Sequence, residues 1–382
     1  MESTKYFVLL YSFTGALNVI LLKYTDILKA ECKDGQSRPF QHPILQTFIM
    51  FLGELLCFGV FKFVYFLLQR REDGSENEHL VTRGGREFSP ISLLLPALLD
   101  AIASILMFTA LYLTYASSFQ VIRETLIIFI AIFSSIYLNN VLHSRHWMGI
   151  FMISCGVIAI VSIDAQRVYY DKASLSSSDV NAILTGDLLI ICAQVFRGAQ
   201  FIYEEKFVKG ADIPAMQAVG WQGVFGTVIT LFLGICMNFM PTKAPFDQNS
   251  RSVFDDFGDV LTQLHSRPLL IALLMLFFIS CACYNYTGMI LLKQSTLSRL
   301  LAEGLSISFV WIIVLLLEWE YLNIVMLLGI LIVQIGVVTY RRAVFLEWYR
   351  SLVLHIARRR YVDLTTEHGE ANAPVNHSAD VI

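Results

Sequence analysis

Charge is what this chain of 382 residues has least of. Lys, Arg, Asp and Glu make up 15% of it, against roughly 25% in an ordinary soluble domain. With 56% hydrophobic residues and a mean hydropathy of +0.61, the chain reads as a polytopic membrane protein rather than a large-cored globule. Catalytic and nucleotide-binding signatures are missing too: there is no P-loop, no Gly-x-Gly-x-x-Gly, no Gly-x-Ser-x-Gly and no His-Glu-x-x-His. The 8 histidines fall in loops, at span ends or in the tail. Of the 7 cysteines, Cys57, Cys155, Cys192, Cys236, Cys281 and Cys283 lie in apolar runs and Cys32 in a loop. That is neither a disulfide framework nor a metal-ligand spacing, and the six are expected to be buried structural residues. The extra-membrane pieces, Gln69–Ser89, Pro241–Arg267 and the tail after Tyr340, are too short and polar for a catalytic domain. The expectation is therefore no enzyme, no cofactor, no metal and no nucleic-acid partner.

What is present is a series of apolar runs. With about 20 apolar residues per span, ten transmembrane helices are expected. They are Tyr6–Lys23, Pro43–Leu68, Ile91–Thr114, Ser117–Tyr137, Trp147–Ile163, Ala182–Tyr203, Pro214–Met240, Pro268–Leu292, Leu297–Leu317 and Asn323–Tyr340. No small-x-small cleavage site follows the first run, so it reads as an uncleaved span. The fourth and ninth follow their predecessors after very short turns and should form tight hairpins with them. Ten spans put both termini on one side. That side collects about fifteen basic residues, from Lys5, Arg70 and Arg71 to the Arg358–Arg360 run, against about eight opposite, so both termini are expected in the cytosol.

The halves repeat. Gly149-Ile-x5-Gly156-Val recurs as Gly329-Ile-x5-Gly336-Val, Thr109-Ala-x2-Leu-x3-Ser-Ser118 as Thr287-Gly-x2-Leu-x3-Ser-Thr296, and Pro43-x2-Gln46 as Pro214-x2-Gln217. Five spans per repeat is odd, so the second copy enters the membrane inverted, the plan of secondary transporters with a midplane site. The expected fold is all-α, with residues 1–163 and 164–342 as two inverted five-helix repeats. Residues 343–382 would be a cytosolic tail with an amphipathic segment and a disordered end. The glycine pairs predict a close packing seam or a homodimer seam.

The fourth span carries Gln120, Arg123 and Glu124 within apolar surroundings. A charge inside a span costs several kcal/mol, roughly 2.5–3.5 for Arg, so such residues mark a pathway or binding cavity. Arg123 and Glu124 are adjacent, about 100° apart on a helix, and cannot pair face to face. Arg123 then needs either an acid on another span, with Asp100 and Glu54 as candidates, or the solute. In the ninth span Arg299 and Glu303 stand at i, i+4 and either neutralise each other or face the solute. Arg197 and Asn285 are further binding candidates. Glu54, Asp100 and Glu303 are the candidate proton carriers or counter-charges. Glu204-Glu205-Lys206 is expected at the membrane interface. In the tail, Tyr361-Val-Asp-Leu364 has the form of an adaptor sorting signal through Tyr361 and Leu364.

Several stretches look familiar together: Phe40-Gln-His-Pro43, Phe51-Leu-Gly-Glu54, Ala116-Ser-Ser-Phe-Gln120 with Arg123, Thr185-Gly-Asp-Leu-Leu-Ile-Ile191, Glu204-Glu-Lys-Phe-Val208 and Ala218-Val-Gly220. They resemble the member-six branch of subfamily F in solute carrier family 35, within the drug/metabolite transporter superfamily. The resemblance runs from the first span to the tenth. Glu124 departs from the family's usual glycine, and Asn139-Asn140 from its basic pair. The resemblance implies a ten-span inverted-repeat carrier, in a lysosomal membrane first and a mitochondrial one second. It also implies a link to the adenine nucleotide translocator and to cell survival. The expected function is secondary-active or exchange transport of a small organic solute, anionic or zwitterionic, across an intracellular membrane. The alternative is a non-transporting membrane scaffold that binds a partner such as a mitochondrial carrier.

Overall fold

The computed structural model describes residues 2–71, 79–85, 87–170, 177–243, 245–246, 249–320 and 324–341. The tail, with Tyr361, Leu364 and the expected amphipathic segment, lies outside the described residues. The long helices are α1 (Glu2–Ile27), α2 (Pro43–Gln69), α3 (Leu94–Leu113), α6 (Ser144–Tyr170), α7 (Ser177–Phe207), α8 (Ala215–Met237), α10 (Pro268–Gln294), α11 (Thr296–Leu316) and α12 (Ile324–Arg341). One more span is composite: α4 (Ala116–Ile122), a 3-10 turn at Arg123–Thr125, and α5 (Leu126–Tyr137). Among the described residues 9 helices are long and apolar enough to cross a bilayer, and Ile324–Tyr340 is a shorter apolar helix. The chain is an all-α membrane protein.

The expected hairpins are present: two residues separate α3 from α4, and Ser295 alone separates α10 from α11. Polar side chains close the helix ends. Lys23 Nζ donates to the Leu111 and Thr114 carbonyls at 2.7 Å each, satisfying the last turn of α3. Glu320 accepts from the Ser117 backbone N–H at 3.1 Å and from its hydroxyl, placing a negative charge on the N-terminus of α4.

The helices pack as α6 on α12, α2 on α8, α3 on α7, α1 on α10 and α11, and α5 on α7. The glycine stripes are used within the chain. A Cβ on Gly156 would sit 2.4 Å from Val333, and one on Gly336 2.9 Å from the Ile153 backbone, so α6 and α12 touch through backbone. The fourth expected span is present as Ala116–Tyr137, with the 3-10 turn inside it. One expectation fails: the membrane cysteines are not all buried. Cys57 and Cys281 are, but Cys155, Cys192, Cys236 and Cys283 lie on exposed helix faces. Apolar surroundings in sequence do not distinguish a lipid-facing from a core-facing position.

A small cap covers one end of the bundle. Antiparallel strands β1 (Lys29–Glu31) and β2 (Ser37–Pro39) form a hairpin that α9 (Phe257–Ser266) packs against. The α9 helix was not expected within Pro241–Arg267. Asp256 caps it, accepting from the Gly258 N–H at 2.8 Å. His42, one residue before α2, ties the cap down. Its Nδ1 lies 2.6 Å from Asp255 and its Nε2 3.0 Å from Gln263.

Candidate functional site

The centre of the bundle is ionic. The 3-10 turn tightens the chain just after Gln120, and Arg123, Glu124 and Thr125 are all buried there. Arg123 Nη2 lies 3.2 Å from Glu303 Oε2 on α11 and 3.3 Å from the Tyr284 hydroxyl on α10. Its Nη1 donates to Gln120 at 3.3 Å, and the Gln120 amide donates to Ser306 at 2.7 Å. The Tyr11 hydroxyl of α1 donates to Glu303 Oε1 at 2.6 Å, and its ring stacks on Tyr284 with centroids 4.3 Å apart.

Arg299 continues the network away from Arg123. Its Nη1 lies 3.0 Å from Glu204 on α7, its Nε 3.4 Å from the Tyr11 hydroxyl, and its guanidinium covers the Phe201 ring at 3.9 Å. Glu204 also accepts from Gln200 at 2.8 Å and from Gln222 of α8 at 2.9 Å. Gln200 reaches on to Asp100 at 3.1 Å, and Asp100 forms an ion pair with Arg197. Glu54 of α2 stands beside this network and accepts from Asn285 at 2.6 Å.

Six of the expected site residues, Gln120, Arg123, Arg197, Arg299, Glu303 and Asp100, thus meet in one network; Asn285 and Glu54 form a pair next to it. Three sequence expectations are corrected. Arg299 and Glu303 do not neutralise each other, because each reaches a partner on another helix. The acid that meets Arg123 is Glu303, not Asp100 or Glu54. Glu204, in the last turn of α7, does not snorkel out of the bundle: it is 1% exposed and joins the network. A signal for Glu204 existed, since Arg197, Gln200 and Glu204 lie at i, i+3, i+7 on one face of α7. Tyr11 and Gln222 carried no such signal.

Arg123 and Arg197 face a cavity of about 60 Å³, lined also by Asn18, Met107, Phe277 and Asn285. That is far below the roughly 300–1,000 Å³ of a ligand pocket, so the arrangement is closed around its centre. One turn beyond Arg299, a wider recess of about 450 Å³ is lined by Asn140, His143, Arg145, Lys209, Thr296 and Tyr340. Two of the paired arginines, Arg123 and Arg197, line the small cavity, and none of the side chains in these buried pairs lines the recess. A buried Arg–carboxylate pair is held by charge-assisted hydrogen bonds, yet it can exchange its acid for another anion of like geometry.

Comparison with known proteins gives consistent matches. The family model for nucleotide-sugar transporters matches residues 45–241. Solute carrier family 35 member F6 of Rattus norvegicus is 32% identical over 373 residues, covering 96% of each chain. The Mus musculus protein of the same name is 33% identical over 378 residues, again 96% of each. A UDP-N-acetylglucosamine/UDP-N-acetylgalactosamine transporter of Caenorhabditis elegans is 25% identical over 146 residues, 37% of this chain and 43% of that one.

Proposed function

The chain belongs to the nucleotide-sugar transporter family and, within it, to solute carrier family 35, and from that premise we propose that it moves a small organic anion or zwitterion by alternating access. The observation that carries this reading is the set of three buried arginines, each held by an acid from a different helix, two of them lining a closed cavity. Such pairs are at once a lock and a binding site: an anionic solute that takes a guanidinium releases the acid that held two helices together. The ten helices are two inverted repeats of five, meeting where Arg123 of one touches Glu303 of the other. The sequence motifs support this, as does packing of α2 on α8 and α6 on α12, counterparts under the repeat. The excess of basic residues at 70–71, 83, 145, 206–209 and 293 supports cytosolic termini.

The test is uptake into proteoliposomes by the purified full chain. Labelled UDP-N-acetylglucosamine, the solute named for the nematode relative, is the first probe, followed by a panel of smaller organic anions and zwitterions. Uptake of at least one solute is expected, with a loss of about tenfold or more in Arg123→Gln at matched insertion. Undiminished uptake by that variant would overturn the reading.

A further inference from the structure

The carboxyls of Glu303, Asp100, Glu204 and Glu54 lie near three guanidiniums, and the guanidiniums are taken one apiece. Arg123 holds Glu303, Arg197 holds Asp100 and Arg299 holds Glu204. Of these four, Glu54 is the carboxyl left without a guanidinium. It is 1% exposed, near the middle of α2. Its Oε1 accepts the Asn285 amide at 2.6 Å, and its Oε2 has no hydrogen-bond partner among the described residues. Asp26 and Asp187 also keep an unpartnered oxygen. Those two sit near helix ends, Asp26 in the last turn of α1 and Asp187 against Thr114 where α3 stops. Glu54 is enclosed: a Cβ on Gly223 of α8 would lie 2.7 Å from its own Cβ, and one on Gly53 2.6 Å from the Phe278 carbonyl of α10.

The groups that face Glu54 give it no counter-ion of its own. Asp100 of α3, Glu204 and Arg197 of α7, and Arg299 of α11 act on it as two negative and two positive charges, already matched to their own partners. From α10 come Asn285 and Cys281; α8 brings Gly223, and Cys57 lies one turn along α2. None of these is a cation. An isolated buried carboxylate is so costly that the group keeps its proton instead. The amide donating to Oε1 fits a neutral acid, with Oε1 as its carbonyl oxygen and Oε2 as its hydroxyl.

We propose that Glu54 is a proton-binding site of this carrier. It is a neutral acid in the closed arrangement, and its Oε2–H bond breaks when the centre opens, the proton passing to water in the cavity that Asn285 lines. The coupling of that proton to solute movement rests on the transport reading; the protonation of Glu54 does not.

Infrared spectroscopy on the full chain in lipid nanodiscs tests the site without a solute. A carboxylic-acid carbonyl band is expected at neutral pH, shifting when glutamate is labelled with carbon-13 and bleaching reversibly as the medium is made alkaline. Glu54→Gln, nearly isosteric, should remove it, Asp100→Asn should leave it, and Asn285→Ala should move it to higher frequency by removing a hydrogen bond. The glutamate label needs no mutation, so a band insensitive to it overturns the proposal even if a variant fails to fold. A band that is absent, insensitive to the label, retained in Glu54→Gln or unresponsive to alkali overturns the proposal. Lost uptake with an intact band would instead count against the transport reading alone.

Discussion

The bundle centre and the cap are both buried polar clusters, but their acids find different partners. In the centre Asp100, Glu204 and Glu303 are met by side chains: arginines, amides and a tyrosine hydroxyl. In the cap each acid also accepts from backbone, beside His42 on Asp255, Arg251 on Asp256 and the Ser250 hydroxyl on Asp259. Asp255 takes the Ile44 N–H at 3.2 Å, Asp259 those of Lys33 at 3.0 Å and Ser250 at 2.7 Å, and Asp256 that of Gly258. The reason is local. Transmembrane helices satisfy their own backbone donors, so a charge among them can be met only by another side chain. Loops and first helical turns leave donors free. Acids held by a fixed backbone are built to stay, whereas acids held by long side chains on separate helices can change partner.

The largest test of this difference is in the centre. Arg123→Ala leaves Glu303 buried without its cation and should lower stability by about 3–5 kcal/mol, whereas removing both charges together as Arg123→Met with Glu303→Met should cost far less. Thermal unfolding in detergent measures both, and a double variant as damaged as the single one would break the comparison. Next in size are two glycines. A Cβ at Gly223 would lie 2.3 Å from the Leu55 N and 2.6 Å from the Glu54 carbonyl carbon, backbone atoms that cannot swing away. Gly223→Ala should therefore cost about 1–3 kcal/mol. At Gly258 the nearest atoms stand at 3.1 Å, and one is the Lys33 Nζ at the end of a flexible chain. Gly258→Ala should stay within about 0.5 kcal/mol, and equal losses at the two sites would contradict the distinction.

What could be read in advance follows the same division. Spans and tight hairpins were legible because each depends on one stretch at a time: a run of apolar residues, or a single Ser295 between two runs. The stripes at Gln120–Arg123 and Arg299–Glu303 were legible as polar faces for the same reason. Their pairing was not, because it depends on how three or four helices are rotated against one another. Sequence offers Arg299 and Glu303 as i, i+4 neighbours, yet assembly gives each a nearer partner on another helix. The inward turn of Glu204 was missed because its neighbours Glu205 and Lys206 resemble an interface cluster, although it shares a face with Arg197. The 3-10 turn at Arg123–Thr125 had no glycine or proline to announce it. The cap was illegible since α9 is 10 residues long and gains its place from contacts with distant strands.

A further effect is a pH dependence that belongs to the cap. Gln263 Nε2 lies 3.4 Å from the Arg38 carbonyl, which fixes the amide so that Oε1 faces His42. Both ring nitrogens of His42 therefore face acceptors, Asp255 on one side and Gln263 on the other, and both must donate. Burial opposes the charge, but Asp255 and the two hydrogen bonds outweigh it and hold the His42 pKa above its usual 6.5. The contribution of His42 to stability is then full below 6.5 and fades as pH rises through the raised value. Asp256 and Asp259 work the other way. Despite burial, Arg251 and the Gly258 N–H on the first, and the Ser250 and Lys33 N–H groups on the second, hold their pKa values down. Their contribution is present above about 3.9 and fades as pH falls through the lowered values. Hydrogen exchange, corrected for its intrinsic pH dependence, should show the Ile44 and Lys33 amides losing protection on the alkaline side by on the order of 1 kcal/mol. His42→Gln should abolish that loss while leaving the acid-side loss intact. A cap whose alkaline loss survives in His42→Gln would mean that the charge on His42 is not what fastens it.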